Sequence, residues 1–331
     1  MPEVVVITGA SAGVGRAIAR RFAADGAHVG LIARGEAGLE AAAADVERLG
    51  GRALSLPCDV SDAAAVDAAA ERVEAEFGPI DIWINNAMTA VLGEVKDTSA
   101  EEFRRVMEVT YLGSVHGAKA ALRRMEPRGR GSIIQVGSAL GRQGIPLQAT
   151  YCAAKHAVQG FFESLRTELR HRGSPVHLGI VQLPGMNTTQ FSWVRLHVPN
   201  EPQPVPPIYQ PEVAADAVHW AAHHKRRELW VGLPTVYTIL GNRIAPWLAE
   251  AYLAKTGFKG QQTDKRAAAD RRDYLEETLD AERDHGSHGS FGDQSHGRSP
   301  QTWLAQRRGA TGALAGAAAL TASALLLRHL R

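Results

Sequence analysis

The residues that decide the fold are Val4-Val5-Val6-Ile7-Thr8-Gly9-Ala10-Ser11-Ala12-Gly13-Val14-Gly15. Four β-branched apolar residues in a row leave no polar face, as expected of a parallel strand covered on both sides. The glycines that follow let backbone approach a ligand, and the pattern from Arg16 to Ala24 has helical spacing. Strand, glycine loop and helix in that order make an anion site, because the first amides of a helix have no partners within it. The chain therefore opens with a phosphate-binding unit whose candidate contacts are Thr8, Gly9, Ser11, Gly13, Val14 and Gly15.

Working outward, apolar strand-like runs at 28–34, 53–56, 80–84, 131–136, 176–183 and 228–232 alternate with helical patterns at 36–49, 62–77, 101–125, 151–171 and 211–224. That alternation predicts an α/β fold, a doubly wound, seven-stranded parallel sheet of the Rossmann type. A second constellation lies at the end of the fifth run. Ser138 precedes Tyr151-Cys152-Ala153-Ala154-Lys155 by thirteen positions, and a helix places the phenol and the ammonium on one face. A phenol titrating near 10 is a poor base unless a cation stabilises its phenolate, the part assigned here to Lys155. Ser138 then holds the oxygen of a carbonyl or alcohol while Tyr151 exchanges the proton.

The glycine loop has the spacing Gly-x-x-x-Gly-x-Gly behind a threonine and lacks the lysine of a P-loop. With Ser138, Tyr151 and Lys155 it resembles the classical short-chain dehydrogenase/reductase family, a single doubly wound domain that binds a nicotinamide dinucleotide and interconverts carbonyls and alcohols. The resemblance implies further roles. Ala33 occupies the position of the acidic residue that grips ribose hydroxyls in enzymes preferring NAD, and Arg34 follows it. This implies NADP(H), with Arg34 on the 2′-phosphate. Asp59 and Val60 match the pair beside the adenine, although Asp59 also suits a helix cap before 62–77. Asn86 and Ala87 match Asn-Asn-Ala-Gly, and Met88 departs from its glycine. Thr110 stands where many members carry an asparagine that helps hold a water in the proton relay, so it is carried as a site candidate with a changed side chain. Pro184, Gly185 and Thr188 match the turn that packs on the nicotinamide, and the resemblance implies that Tyr151 and Lys155 also bind the cofactor, Lys155 at the nicotinamide ribose.

Composition narrows the alternatives. The net charge of +2, from 37 basic and 35 acidic residues, gives no field that would gather nucleic acid. Two cysteines, Cys58 and Cys152, cannot make a disulfide framework. No metal set is expected either, because His219, His223 and His224 sit among basic residues at a helix end. A strand-like run starts right behind Met1, without the pattern of a secretory signal, which places the catalytic part in the cytoplasm. The unperiodic stretch 189–211 is rich in proline and aromatic residues. It reads either as a cover over a lipophilic substrate or as a crossover packed on the core.

The resemblance extends over about residues 1–258. Residues 259–300 read as a charged exposed helix or stalk at 264–284, followed by a flexible Gly/Ser/His-rich linker. Residues 301–331 contain an uncharged stretch, 309–327, between basic residues, with Gly312-x-x-x-Gly316 inside it and Trp303 before it. Its length just suffices for a transmembrane helix, and an alanine-rich oligomer or core helix is the other reading. The function expected is NADP(H)-dependent interconversion of a carbonyl and a secondary alcohol on a lipophilic small molecule, by a homo-oligomer attached to a membrane through its C-terminal helix. A non-catalytic dinucleotide-binding regulator and a ketoacyl-thioester reductase are the alternatives.

Overall fold

The computed structural model describes residues 2–307. The seven strands are β1 (Val4–Thr8), β2 (His28–Ala33), β3 (Arg52–Pro57), β4 (Ile82–Asn85), β5 (Ser132–Ser138), β6 (His177–Leu183) and β7 (Glu228–Trp230). They form one sheet in the order β7-β6-β5-β4-β1-β2-β3, and every pairing is parallel. The strand order reverses between β1 and β4. In open parallel sheets the crevice beyond the strand ends at such a reversal is where ligands bind.

Strand alternation builds two cores from one run of residues. Val5 and Ile7 of β1 face a layer containing Ile18, Phe22 and Leu39, from α1 (Gly13–Ala23) and α2 (Glu36–Arg48). Val4 and Val6 face the opposite layer with Val73, Met125 and Phe162, from α3 (Ala63–Phe77), α5 (Gly113–Met125) and α6 (Ala149–His171). Both sets are fully buried or nearly so, which is why β1 has no polar residue until its end.

The long helix expected at 101–125 runs without interruption from Ala100 to Met125 but changes its winding part-way. α4 (Ala100–Val106) opens with a capping box between Ser99 and Glu102 and gives way to a π-helical stretch, Met107–Leu112, before α5. The widened turn lets the Thr110 hydroxyl accept from the Thr89 amide at 3.0 Å and donate to the Thr89 carbonyl at 3.1 Å. That link ties the helix to the segment leaving β4.

The crossover 189–211 carries a short helix, α7 (Gln190–Trp193), and leads to α8 (Pro211–His223), which begins on a proline as expected. Beyond β7 come α9 (Gly232–Ile244) and α10 (Pro246–Gly260).

The charged segment differs from expectation. No α-helix lies between Gly260 and α11 (Pro300–Gln306) among the described residues. The stretch 267–291 instead runs back across the ends of the strands. Its backbone pairs at 3.0 Å from Tyr274 to Trp193, at 3.2 Å from Ala37 to Ala281, at 3.0 Å from Gly38 to Asp280 and at 3.1 Å from Gly13 to Gly286. Some of its charges pair with the domain, Asp273 with Arg195 at 2.9 Å and Asp284 with Arg16, while Leu275 and Ser287 are buried. Residues read as stalk and linker are therefore a strap on the catalytic face. The expected anchor at 309–327 lies outside the described residues. Among those described, no helix is long and apolar enough to cross a membrane.

Candidate active site

The site begins where β5 ends. Ser138 is its last residue, and its hydroxyl accepts the amide of Leu140 at 3.1 Å, which fixes the turn. Tyr151 and Lys155 stand one turn apart on the first part of α6, with the Lys155 Nζ 5.5 Å from the centre of the Tyr151 ring. The Ser138 hydroxyl acts on the Tyr151 phenol and favours its ionised form. The three side chains line one cavity of about 840 Å3 together with the glycine loop.

Electrostatics here depart from the simplest expectation. Burial pushes the Tyr151 phenol well up, and Ser138 pulls it back only in part. The Lys155 Nζ donates to the Val136 carbonyl at 2.9 Å, which fixes the ammonium beside the Tyr151 ring. Burial brings the Lys155 ammonium down from 10.5 to about 8. A phenol held in its protonated form is the state needed to give a proton to a carbonyl oxygen.

The glycine loop is latched to the end of β4. Thr8 Oγ1 accepts the amides of Asn86 at 3.0 Å and Ala87 at 3.1 Å, and Asn86 Nδ2 donates to the carbonyls of Thr8 and Gly9. Thr8 thus works from behind the loop, whereas Gly9, Ser11, Gly13, Val14, Asn86 and Ala87 line the cavity. Gly15 has no room for a side chain, since a Cβ there would stand 2.0 Å from the Gly9 carbonyl oxygen. No side chain caps α1, which leaves its first turn to a ligand or to backbone. Arg34, Asp59 and Val60 line the far end, and Pro184, Gly185 and Thr188 line the end near Tyr151.

Comparison with known proteins matches this geometry. The family model described as short chain dehydrogenase matches residues 3–196. The uncharacterized oxidoreductase YxnA of Bacillus subtilis (strain 168) is 32% identical over 267 residues, covering 80% of this chain and 74% of that protein. This chain belongs to the short-chain dehydrogenase family. Dehydrogenase/reductase SDR family member 7B of Bos taurus is 39% identical, over 50% of this chain and 53% of its own length. Among solved structures, an alcohol dehydrogenase from the archaeon Thermococcus sibiricus complexed with 5-hydroxy-NADP superposes with a TM-score of 0.61 at 27% identity. The match covers 72% of this chain and 98% of that one. A metagenomic short-chain oxidoreductase in complex with NADP gives 0.59 at 29%, over 69% of this chain and 96% of its own.

Within that family, the two departures have partners. Met88, in the place of a glycine, meets the hydroxyl of Tyr274 from the strap, Oη to Sδ 3.8 Å. Thr110 is fully buried, pairs with Thr89 and passes its carbonyl to the Ser114 hydroxyl at 2.9 Å, so it braces the wall and does not line the cavity. Two expected contacts are already engaged. Asp59 is held by Arg105 at 2.6 Å and by Ser61; burial opposes, yet these bonds keep its carboxyl below the usual range. Arg34 donates to the carbonyls of Glu276 at 3.1 Å, Tyr274 at 2.5 Å and Glu277 at 2.9 Å. Three of its N–H groups are thus spent on the strap, of about five that a guanidinium carries.

Sequence reasoning missed the strap's contributions. Tyr274 lies in the cavity wall with its phenol pushed up to about 12 by burial, and Asp280 packs against Gly35 and Gly38 at the nucleotide end. Asn187 is also buried. It receives the Phe291 amide on its Oδ1 at 3.0 Å and donates to Gln210 at 3.0 Å, joining the Pro184-Gly185 turn to the strap. Nothing in the local pattern around Tyr274 or Asp280 marks them, because their role depends on the chain returning to Met88 and Gly38, far earlier in the sequence.

Proposed function

We propose that the chain is an NADP(H)-dependent oxidoreductase interconverting a carbonyl and a secondary alcohol on a lipophilic small molecule. The observation that carries this reading is that Ser138 and Tyr151, with Lys155 one turn on, line the same cavity as the glycine loop. The residues fit a dinucleotide. Gly15 leaves the backbone bare, α1 lacks a side-chain cap, and the end of β2 offers Arg34 with no acid beside it on that strand. A nicotinamide bound there supplies the hydride. Ser138 orients the carbonyl oxygen, and Tyr151 donates the proton to it. Lys155, anchored on Val136, supplies a cation that stabilises the phenolate left behind. The strap and the 189–211 crossover exclude water, which strengthens each of these interactions. In the oxidising direction the same groups take the proton back.

Lipophilicity of the substrate is read from the walls beyond Tyr151. Ile145, Phe191, Trp193, Tyr237, Leu248 and Leu253 supply them. The test is NADPH consumption over a panel of hydrophobic ketones, aldehydes and ketoacyl thioesters. Turnover of ketones that Tyr151→Phe abolishes supports the reading, and turnover that survives the substitution overturns it.

A further inference from the structure

α9 and α10 leave a large apolar face uncovered. Thr235 and Ile239 of α9 point inward, whereas Leu233, Tyr237, Leu240 and Ile244 recur at intervals of four, three and four on the outside. Trp247, Leu248 and Tyr252 continue the face on α10, and the exposures are 75% for Ile244, 64% for Trp247 and 67% for Tyr252. Contiguous apolar surface of this kind marks a docking site, since scattered single residues are what an ordinary surface shows.

We infer that this face lies on an anionic lipid bilayer, with the mouth of the catalytic cavity turned toward it. Three observations select lipid as the occupant. First, α9 and α10 carry Arg243, Lys255 and Lys259 against Glu250 alone, a net charge of +2 (three minus one) beside aromatic and aliphatic side chains. Trp, Tyr and Lys with Ile and Leu are the mixture of an interfacial helix, and a second copy docked face to face would bring like charges together. Second, Tyr237, Leu248 and Tyr252 belong to the exposed face and also line the cavity, so the face surrounds its opening. Third, α11 is fastened to the start of α9 by the Gly232 amide on Thr302 Oγ1 at 3.1 Å and adds exposed Trp303 and Leu304. The uncharged sequence 309–327 begins just beyond it. Docking stands on the surface alone; the corollary, that a lipophilic substrate passes from bilayer to cavity, rests on the proposed function.

The test needs no turnover, so it separates docking from catalysis. The full chain carries an environment-sensitive fluorophore at Ile244→Cys or, as a control on the far side, at Glu47→Cys, with the unsubstituted protein's labelling subtracted. Phosphatidylcholine vesicles with about a third phosphatidylglycerol should raise emission at position 244 about threefold, and brominated lipid should quench it, with little change at position 47. Four results overturn the inference. Co-floating protein without a response at 244 means that the tail alone holds it, and an equal response at 47 means indiscriminate adsorption. A probe already shielded before lipid is added means that the chain's own terminal segment covers the face. A dimer in lipid-free buffer that Ile244→Asp dissociates means that a second copy does.

Discussion

Replacing Lys155 by methionine should stabilise the protein while destroying its activity. Burial lowers the ammonium from 10.5 to about 8, so holding the charge inside costs about 3 kcal/mol relative to the neutral amine. Methionine keeps much of the length and apolar volume but leaves the Val136 carbonyl without its 2.9 Å donor. That loss costs about 1 kcal/mol, giving a net gain of about 2 kcal/mol at pH 7. The pH dependence follows from the direction of the shift. Between pH 8 and 10.5 the unfolded chain keeps the proton on this lysine and the folded chain does not, so wild-type stability rises with pH across that window. The advantage of Lys155→Met is therefore full below pH 8 and shrinks by about 3 kcal/mol as pH climbs to 10.5. Urea unfolding of both proteins without cofactor, at pH 7, 8, 9 and 10, measures it. A variant less stable than wild type at pH 7, or a gap that does not change with pH, refutes the reasoning.

Other predictions concern the strap and the nucleotide end. Gly289→Ala puts a Cβ 2.4 Å from the Thr188 carbonyl oxygen; displacement of the strap should cost about 1–3 kcal/mol and speed proteolysis after Arg271 or Arg272. Tyr274→Phe removes the hydroxyl facing Met88, and should raise KM for substrate with stability lowered by about 1 kcal/mol; an unchanged KM removes Tyr274 from substrate recognition. Arg34→Asp should move cofactor preference from NADPH toward NADH by about tenfold or more, with cofactor titration as the readout, and an unchanged ratio sinks the phosphate assignment.

The catalytic unit was readable because its signals are local. β1 has one composition and no exposed face, and Tyr151 and Lys155 share a helix, so spacing alone places them together. The seven strands follow from apolar runs that buried parallel strands require. What escaped was long-range. The strap looks like a stalk because its acids are paired with Arg16, Arg105 and Arg195 and its carbonyls take up Arg34, partners that no periodicity reveals. The π-helical winding at Met107–Leu112 escaped for a similar reason, since the Thr110–Thr89 link that accompanies it joins segments distant in the sequence. Met88 read as an anomaly until Tyr274 was seen beside it.

The measurement that bears most directly on the account is hydride transfer by Tyr151→Phe under single-turnover conditions, beside a fluorescence titration of NADPH binding. Loss of the Tyr151 hydroxyl should slow transfer to a ketone by about a hundredfold or more and leave NADPH affinity nearly unchanged. A rate within a few fold of wild type, with cofactor bound, would contradict the assignment of Tyr151 as the proton donor.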